Sequence, residues 1–158
     1  MTPTVILLLA FAIGVVAGLR SLTAPAVVAW AAHLGWLQLH GTRLSFMASA
    51  ITVGIFTVLA LGEFYADQLP STPARTAPVG LIARILTGGL SGAAIAVAGG
   101  QTLKVGAVLG ALGGVAGAFA GFQARTGLVR ALKVRDLVIA LAEDVFAIAA
   151  GLFIVTRF

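Results

Sequence analysis

The spacing of charged residues constrains this chain most, because it divides 158 residues into long apolar runs. Charged residues make up 9% of the sequence, whereas soluble domains carry about a quarter. Five runs have roughly the 20 residues that a helix needs to cross a bilayer core of about 30 Å. The predicted spans are residues 3–19, 44–67, 78–102, 104–123 and 136–156. The pattern therefore predicts an all-α integral membrane protein, a compact bundle of about five transmembrane helices.

Residues 21–42 form a further uncharged run whose structure the sequence leaves open. Thr23 is a candidate N-cap, and Pro25 suits the first turn of a helix. A helix from Pro25 to Leu39 would cover only about 22 Å, and His33 is unfavourable in lipid. A short re-entrant or interfacial helix is one prediction for this run. A sixth span is the alternative, and the positive-inside rule favours it slightly.

Two pairs of similar stretches predict an internal repeat. AGLRSLT (17–23) resembles AGFQART (120–126), and VLALGE (58–63) resembles VIALAE (138–143). The coincidence of the two glutamates is informative because the chain has only five acids. The second copy has too few residues between its two stretches to cross a membrane. Equivalent copies would then run in opposite directions, an inverted repeat of the kind found in transporters.

The repeat implies a single transmembrane domain, residues 1–158, with related halves at about 9–69 and 104–157. Residues 78–102 would be the linking span. In this prediction, residues 17–67 and 120–156 superpose about an axis near the membrane plane.

Acids within the apolar runs are candidates for a polar interior site. Glu143 and Asp144 lie about 10 Å along a helix from its predicted start, where each charge costs about 2.5–3.5 kcal/mol. Glu63 occupies the equivalent place in the first copy, and Asp67 lies one turn later on the same face. These acids should therefore converge and find arginine partners. The predicted site comprises Glu63, Asp67, Glu143, Asp144, Arg20, Arg125, Thr23 and Thr126.

The chemistry of this site follows from its donor atoms. Carboxylates in a chain without cysteine suit protons or hard cations bound through oxygen, although no particular metal is indicated. The motif TAP occurs at 23–25 and 76–78, and each copy predicts a helix start whose free N–H groups suit an anion or carboxylate. A purely structural role, with the acids paired to arginines, is the alternative.

Glycines at four-residue spacing predict close helix packing. Two rows fall within the predicted span 104–123, which they place at the centre of the bundle or at a homodimer seam. The glycines of these rows are Gly106, Gly110, Gly113, Gly114, Gly117 and Gly121.

Several functions are disfavoured by what the sequence lacks. No nucleophile–base pair, phosphate loop or nucleotide fingerprint is present, so an enzyme is not predicted, nor is a cofactor. The formal charge is +5, but the basic residues are scattered or gathered once at 127–136. That distribution favours anionic lipid headgroups over nucleic acid.

Three stretches resemble a known family: GLRSLTAPAVVAWAAHLGWL, LGEFYADQLPSTPART and ALAEDV, in that order. They are similar to a bacterial family of small multi-pass membrane proteins catalogued as domain of unknown function 4126. The resemblance covers nearly the whole chain, although ALKVRD replaces the proline-containing stretch that usually precedes the last helix. It implies a multi-pass protein of the bacterial inner membrane and supplies no activity.

The function predicted from these observations is transport of a small ion or solute along a path lined by carboxylates. A non-transporting structural or lipid-headgroup-binding membrane protein is the alternative. The predicted partners are the lipid bilayer, a small ion or solute, and a second copy of the chain.

Overall fold

The computed structural model describes residues 1–66 and 76–158, and within these ranges every regular element is helical. One short 3-10 helix occurs at Ser45–Ala48. The α-helices are α1 (Pro3–Leu19), α2 (Thr23–His33), α3 (Ala50–Ala66), α4 (Pro78–Ala98), α5 (Leu103–Leu132) and α6 (Asp136–Val155). The predicted all-α class is therefore confirmed for this part of the chain.

The helices differ in their capacity to cross a membrane. α4, α5 and α6 are long and apolar enough to do so, with 21, 30 and 20 residues. α1 and α3 are apolar but shorter, with 17 residues each. α2 has 11 residues, a length of about 16 Å, which is too short for a sixth span. Helices of membrane-spanning length and character are thus present, and the number of five spans stays a prediction.

α5 extends well beyond the predicted span 104–123. It continues to Leu132 because residues 124–132 contain no proline, the residue that most strongly breaks a helix. The helix ends where Lys133 adopts a left-handed conformation with φ of 52°.

The two TAP motifs begin helices, but neither is capped by its threonine. α4 begins at Pro78, as predicted, with Ala77 as its N-cap residue. α2 begins at Thr23 itself, and its N-cap residue is Leu22, so the prediction of Thr23 as N-cap is wrong. The hydrogen-bond acceptor at this helix start comes from another helix, because the carboxylate of Glu63 on α3 accepts a hydrogen bond from the backbone N–H of Leu22.

Glycines allow α1, α4 and α5 to pack backbone against backbone. A Cβ atom on Gly110 would lie 2.1 Å from the carbonyl oxygen of Gly88 on α4, and one on Gly113 would lie 2.2 Å from that of Phe11 on α1. Gly121 is also buried. The glycines of α5 at these contacts are Gly106, Gly110 and Gly114 against α4, and Gly113 and Gly117 against α1. These five glycines face helices of the same chain, so they do not form a homodimer seam.

These contacts also fix helix directions. Gly92, late in α4, lies against Ala10, early in α1, whereas Arg84, early in α4, bonds Gly18, late in α1. α1 and α4 are therefore antiparallel, and the α4–α5 contacts follow the same pattern. It follows that α1 and α5 run parallel.

The parallel course of α1 and α5 contradicts the predicted inverted repeat. That repeat requires residues 17–23 and 120–126 to lie on oppositely directed helices. α3 and α6 do run in opposite directions, because α2 is antiparallel to α3 and parallel to α6. Residues 17–67 and 120–156 cannot superpose when one pair of helices agrees in direction and the other does not. Short apolar stretches match by chance easily, because they draw on few residue types.

α2 lies inside the bundle. Nine of its 11 residues are buried, and it contacts α1, α3, α4 and α6. Trp30 and His33 are its exposed residues. Of the predictions for residues 21–42, a short buried helix agrees with a re-entrant segment and argues against one lying on the membrane surface.

Candidate functional site

Four charged residues whose side chains are largely shielded from water gather at the end of the bundle where α1 ends. Their side chains are exposed by 1% for Arg20, 7% for Arg84, 8% for Glu63 and 13% for Asp144. Charges this far from water require opposite charges or several hydrogen bonds. Each of the four has such partners, and the partners lie on different helices.

Glu63 binds the turn between α1 and α2. Its Oε1 accepts hydrogen bonds from the backbone N–H and the hydroxyl of Ser21, at 2.8 and 2.7 Å. Its Oε2 accepts the backbone N–H of Leu22 at 2.9 Å. A helix start presents N–H groups without helical acceptors and a partial positive charge, which a carboxylate satisfies. The carboxylate that the sequence predicted at the first TAP motif is therefore supplied by Glu63 of the same chain.

Arg84 is the second partner of Glu63 and was absent from the predicted site. Its Nη2 lies 4.0 Å from Oε1 of Glu63. Its Nε donates to the carbonyl oxygen of Gly18, and its Nη1 donates to that of Gly80, both at 3.0 Å. One guanidinium therefore satisfies the end of α1 and faces the acid of α3. The available signal was that Arg84 is the one charge within the 21 residues of α4.

Arg20 connects α1 to α6. Its Nη2 pairs with Oδ1 of Asp144, and its guanidinium carbon lies 5.6 Å from the ring centre of Phe64 on α3. That distance allows a cation–π interaction, which strengthens when the cation is shielded from water. The side chain of Arg20 thus contacts both α3 and α6.

A second cluster lies at the hairpin between α5 and α6. Arg125 donates from Nε and Nη2 to the two carboxylate oxygens of Asp136, at 2.9 and 2.5 Å. Its Nη1 lies 3.9 Å from Oε2 of Glu143. The side chain of Asp136 is 60% exposed, whereas that of Glu143 is 10% exposed. Because Glu143 and Asp144 are adjacent, α6 joins this cluster to the first.

The predicted site residues separate into groups. Glu63 and Asp144 face the first cluster, Glu143 faces the second, and Asp67 lies outside the described residues. The hydroxyl of Thr126 donates to carbonyl oxygens of its own helix, so its hydrogen bonds stay within α5 and do not reach the acids.

Thr23 differs from Thr126, because its buried hydroxyl has no hydrogen-bond partner among the described residues. The predicted arginine partners, Arg20 and Arg125, each lie beside an acid of α6.

The charges of these clusters are divided between two groups of helices. The three arginines belong to α4, to α5 and to the end of α1, the helices packed through glycine. The four acids with described positions belong to α3 and α6. Every ion pair named above therefore links one group of helices to the other.

Metal binding has little support in this geometry. The described residues contain no group of three or more His, Cys, Asp or Glu side chains arranged to hold a metal ion. The acids there are matched by arginines and backbone N–H groups, which compete with a cation for the carboxylate oxygens.

Together the helices and buried ion pairs define an all-helical protein with several helices of membrane-spanning length and character. The chain belongs to the family described as "Domain of unknown function (DUF4126)", which matches residues 7–156. The predicted family is thus confirmed. Neither a curated protein nor a solved structure matches the chain.

Proposed function

We propose that the chain is a small transporter of an ion or solute, in which buried ion pairs couple two groups of helices that move relative to each other. We place it as a multi-pass protein in the bacterial inner membrane. The observation that supports the proposal is the division of charge. The arginines lie on α1, α4 and α5, whereas the acids lie on α3 and α6.

Energetics favour a functional role for these pairs. Burying an ion pair incurs a desolvation cost that its attraction offsets only partly, and apolar replacements are often equally stable. In lipid the penalty for an isolated charge is larger still. A protein that needed only stability would gain little from placing three arginines and three acids largely out of contact with water. Binding a proton or cation at the acids would weaken the pairs and alter the contact between the groups.

The packing of the two groups is consistent with relative motion. α1, α4 and α5 meet through backbone atoms at glycines, where no side chain can rearrange. α3 and α6 instead contact α2 through side chains and polar bonds, including the hydrogen bond from Trp30 Nε1 of α2 to the hydroxyl of Thr57 of α3 at 3.0 Å. Side-chain contacts can exchange between two arrangements, whereas tightly packed backbones move as one body.

The test is ion flux in liposomes. The purified chain is reconstituted with a pH-sensitive dye inside, and a potassium diffusion potential drives proton movement. We expect proton flux that Glu63→Gln and Asp144→Asn abolish while the fold is retained. Asp136→Asn is the matched control, because that acid is largely exposed, and it should retain flux. Flux no greater than in protein-free liposomes would exclude proton transport.

A second candidate is a non-transporting scaffold. The observation that favours it is the extensive binding of Glu63, whose oxygens receive three hydrogen bonds and face Arg84. In that case the flux of the wild-type chain would equal that of empty liposomes, and Glu63→Gln would lower only the thermal stability.

A further inference from the structure

The hairpin between α5 and α6 projects beyond the contacts that pack the bundle. Its tip, defined as residues 126–135, contains the last turns of α5 and the residues that precede α6. Residues 122–138 are all exposed or half-buried, whereas Gly121 and Ile139 on either side of them are buried. The hairpin tip therefore stands clear of the bundle, and its side chains are available to another molecule.

The length of α5 places the hairpin tip relative to a bilayer. Lys104 and Arg125, the first two charges of α5, lie about 32 Å apart along the helix. This separation is close to the thickness of a hydrocarbon core, about 30 Å. The helix then continues for about 10 Å to Leu132. Since the headgroup layer on each side is roughly 5–8 Å thick, the tip lies within that layer and just beyond it.

The hairpin tip is positively charged. It carries three cations and no acid, the cations being Arg130, Lys133 and Arg135. All three are exposed, and no ion pair joins them to an acid among the residues that the structure describes. Asp136, the acid that follows the tip, is bound by Arg125. The charge of the tip is therefore not balanced by these neighbours, and it favours an anionic partner.

Exposed leucines accompany these cations. Leu128 and Leu132 are 45% and 58% exposed, and they share one face of α5 because they lie four residues apart. Arg130, midway between them in sequence, lies on the opposite face of the helix. A basic face beside an apolar face is typical of helices at a membrane surface. Anionic lipid accounts for both features, since leucines enter the acyl boundary while cations stay beside the phosphates.

We propose that the hairpin tip binds the headgroups of anionic phospholipids in the cytoplasmic leaflet. Six of the nine described Lys and Arg residues lie at this end of the bundle, and the positive-inside rule assigns the richer end to the cytoplasm. That leaflet presents an anionic surface, and each basic residue near it adds to the attraction. The site shares with the transport proposal only the placement in a membrane.

The experiment makes use of the absence of cysteine from the chain. Ala131→Cys, at an exposed residue of the hairpin tip, carries a single fluorescent label. The labelled full chain is reconstituted in phosphatidylcholine nanodiscs that contain a quencher lipid, either phosphatidylglycerol or phosphatidylcholine with a nitroxide near the ester group. We expect phosphatidylglycerol to be the more effective quencher by at least about fivefold at equal mole fraction. Added salt should reduce this preference.

Lys133 provides a variant that separates charge from folding. Its φ of 52° is left-handed, a conformation that glycine adopts with less strain. Lys133→Gly therefore removes one charge without lowering the thermal stability of the protein. This variant and Arg130→Gln should each reduce the preference for phosphatidylglycerol by up to about fivefold. Lys104→Gln, at an exposed residue of the opposite end of α5, removes an equal charge and should leave the preference at the tip unchanged.

Three results would overturn the proposal. Equal quenching by the two lipids, or a preference that neither Lys133→Gly nor Arg130→Gln reduces, would show that the tip does not select anionic headgroups. A preference that inorganic phosphate abolishes, while chloride of the same ionic strength does not, would assign the tip to a free anion. Because none of these measurements uses flux, a retained lipid preference without proton flux would exclude transport alone.

Discussion

The two groups of helices in this molecule are held in place by different kinds of interaction. α1, α4 and α5 meet through glycines so closely that a single added carbon would lie within 2.1 Å of a backbone oxygen. α3 and α6 instead attach to that unit, and to α2, through side chains, hydrogen bonds and ion pairs. The comparison teaches that small residues can build a rigid unit mainly through backbone contacts, to which Arg84 adds one hydrogen bond, whereas α3 and α6 depend on charges and polar groups to attach to it.

The largest effect is expected when a side chain is forced into the glycine contacts. Gly110→Leu places its Cβ against the carbonyl oxygen of Gly88, so the helices must separate, at a cost we expect to exceed about 3 kcal/mol. Thermal unfolding in detergent should show a large loss of stability or failure to fold. Gly113→Leu and Gly117→Leu should act alike at the contact with α1.

The control for this prediction is a glycine with free space. Gly54→Ala on α3 meets nothing within 4 Å and should gain up to about 1 kcal/mol from helix propensity. Equal tolerance of leucine at Gly110 and of alanine at Gly54 would refute the rigid-unit interpretation.

The next largest effect is expected at Arg20. Arg20→Met leaves Asp144 buried beside an uncharged side chain, at a cost of about 3–5 kcal/mol. The double variant Arg20→Met with Asp144→Leu should recover most of this stability, since both charges are then absent. Thermal melts of the two single variants and the double variant give the coupling free energy. Additive losses with no recovery would show that the pair is not an energetic unit.

A smaller effect is expected for Glu63→Gln. The amide oxygen can still accept from Ser21, but the amide nitrogen cannot accept from Leu22, so one buried N–H loses its partner at a cost of about 1–3 kcal/mol. Glu63→Ala, which removes both oxygens, should cost more. Amide hydrogen exchange at Ser21 and Leu22 checks the mechanism, because Leu22 should exchange faster in the glutamine variant while Ser21 stays protected.

The smallest effect is expected at the exposed pair between Arg125 and Asp136. Asp136→Asn should lower the free energy of unfolding by about 0–1 kcal/mol, as exposed ion pairs usually contribute little. The loss should shrink as salt is added. A larger, salt-independent loss would place this pair among the buried interactions that join the two groups.

Sequence alone determined where most of the helices lie along the chain. The uncharged runs located α1, α3, α4, α5 and α6, because the length of an apolar run is a local property that helix rise converts into a span. Four-residue spacing identified the glycine rows of α5, since residues at that spacing share a helix face. The acids of α3 and α6 stood out because charges are expensive in apolar helices.

Tertiary structure decided the partners and the directions. Nothing in the spacing of Arg84 indicates that it bonds Gly18 and faces Glu63, residues distant in sequence. The start of α2 is bound by a carboxylate of α3 and not by its own threonine. The direction of α5 relative to α1 follows from which helices pack together, and matched heptapeptides carry no information on it. Such features depend on non-local contacts, whereas hydropathy and spacing describe only what each segment does by itself.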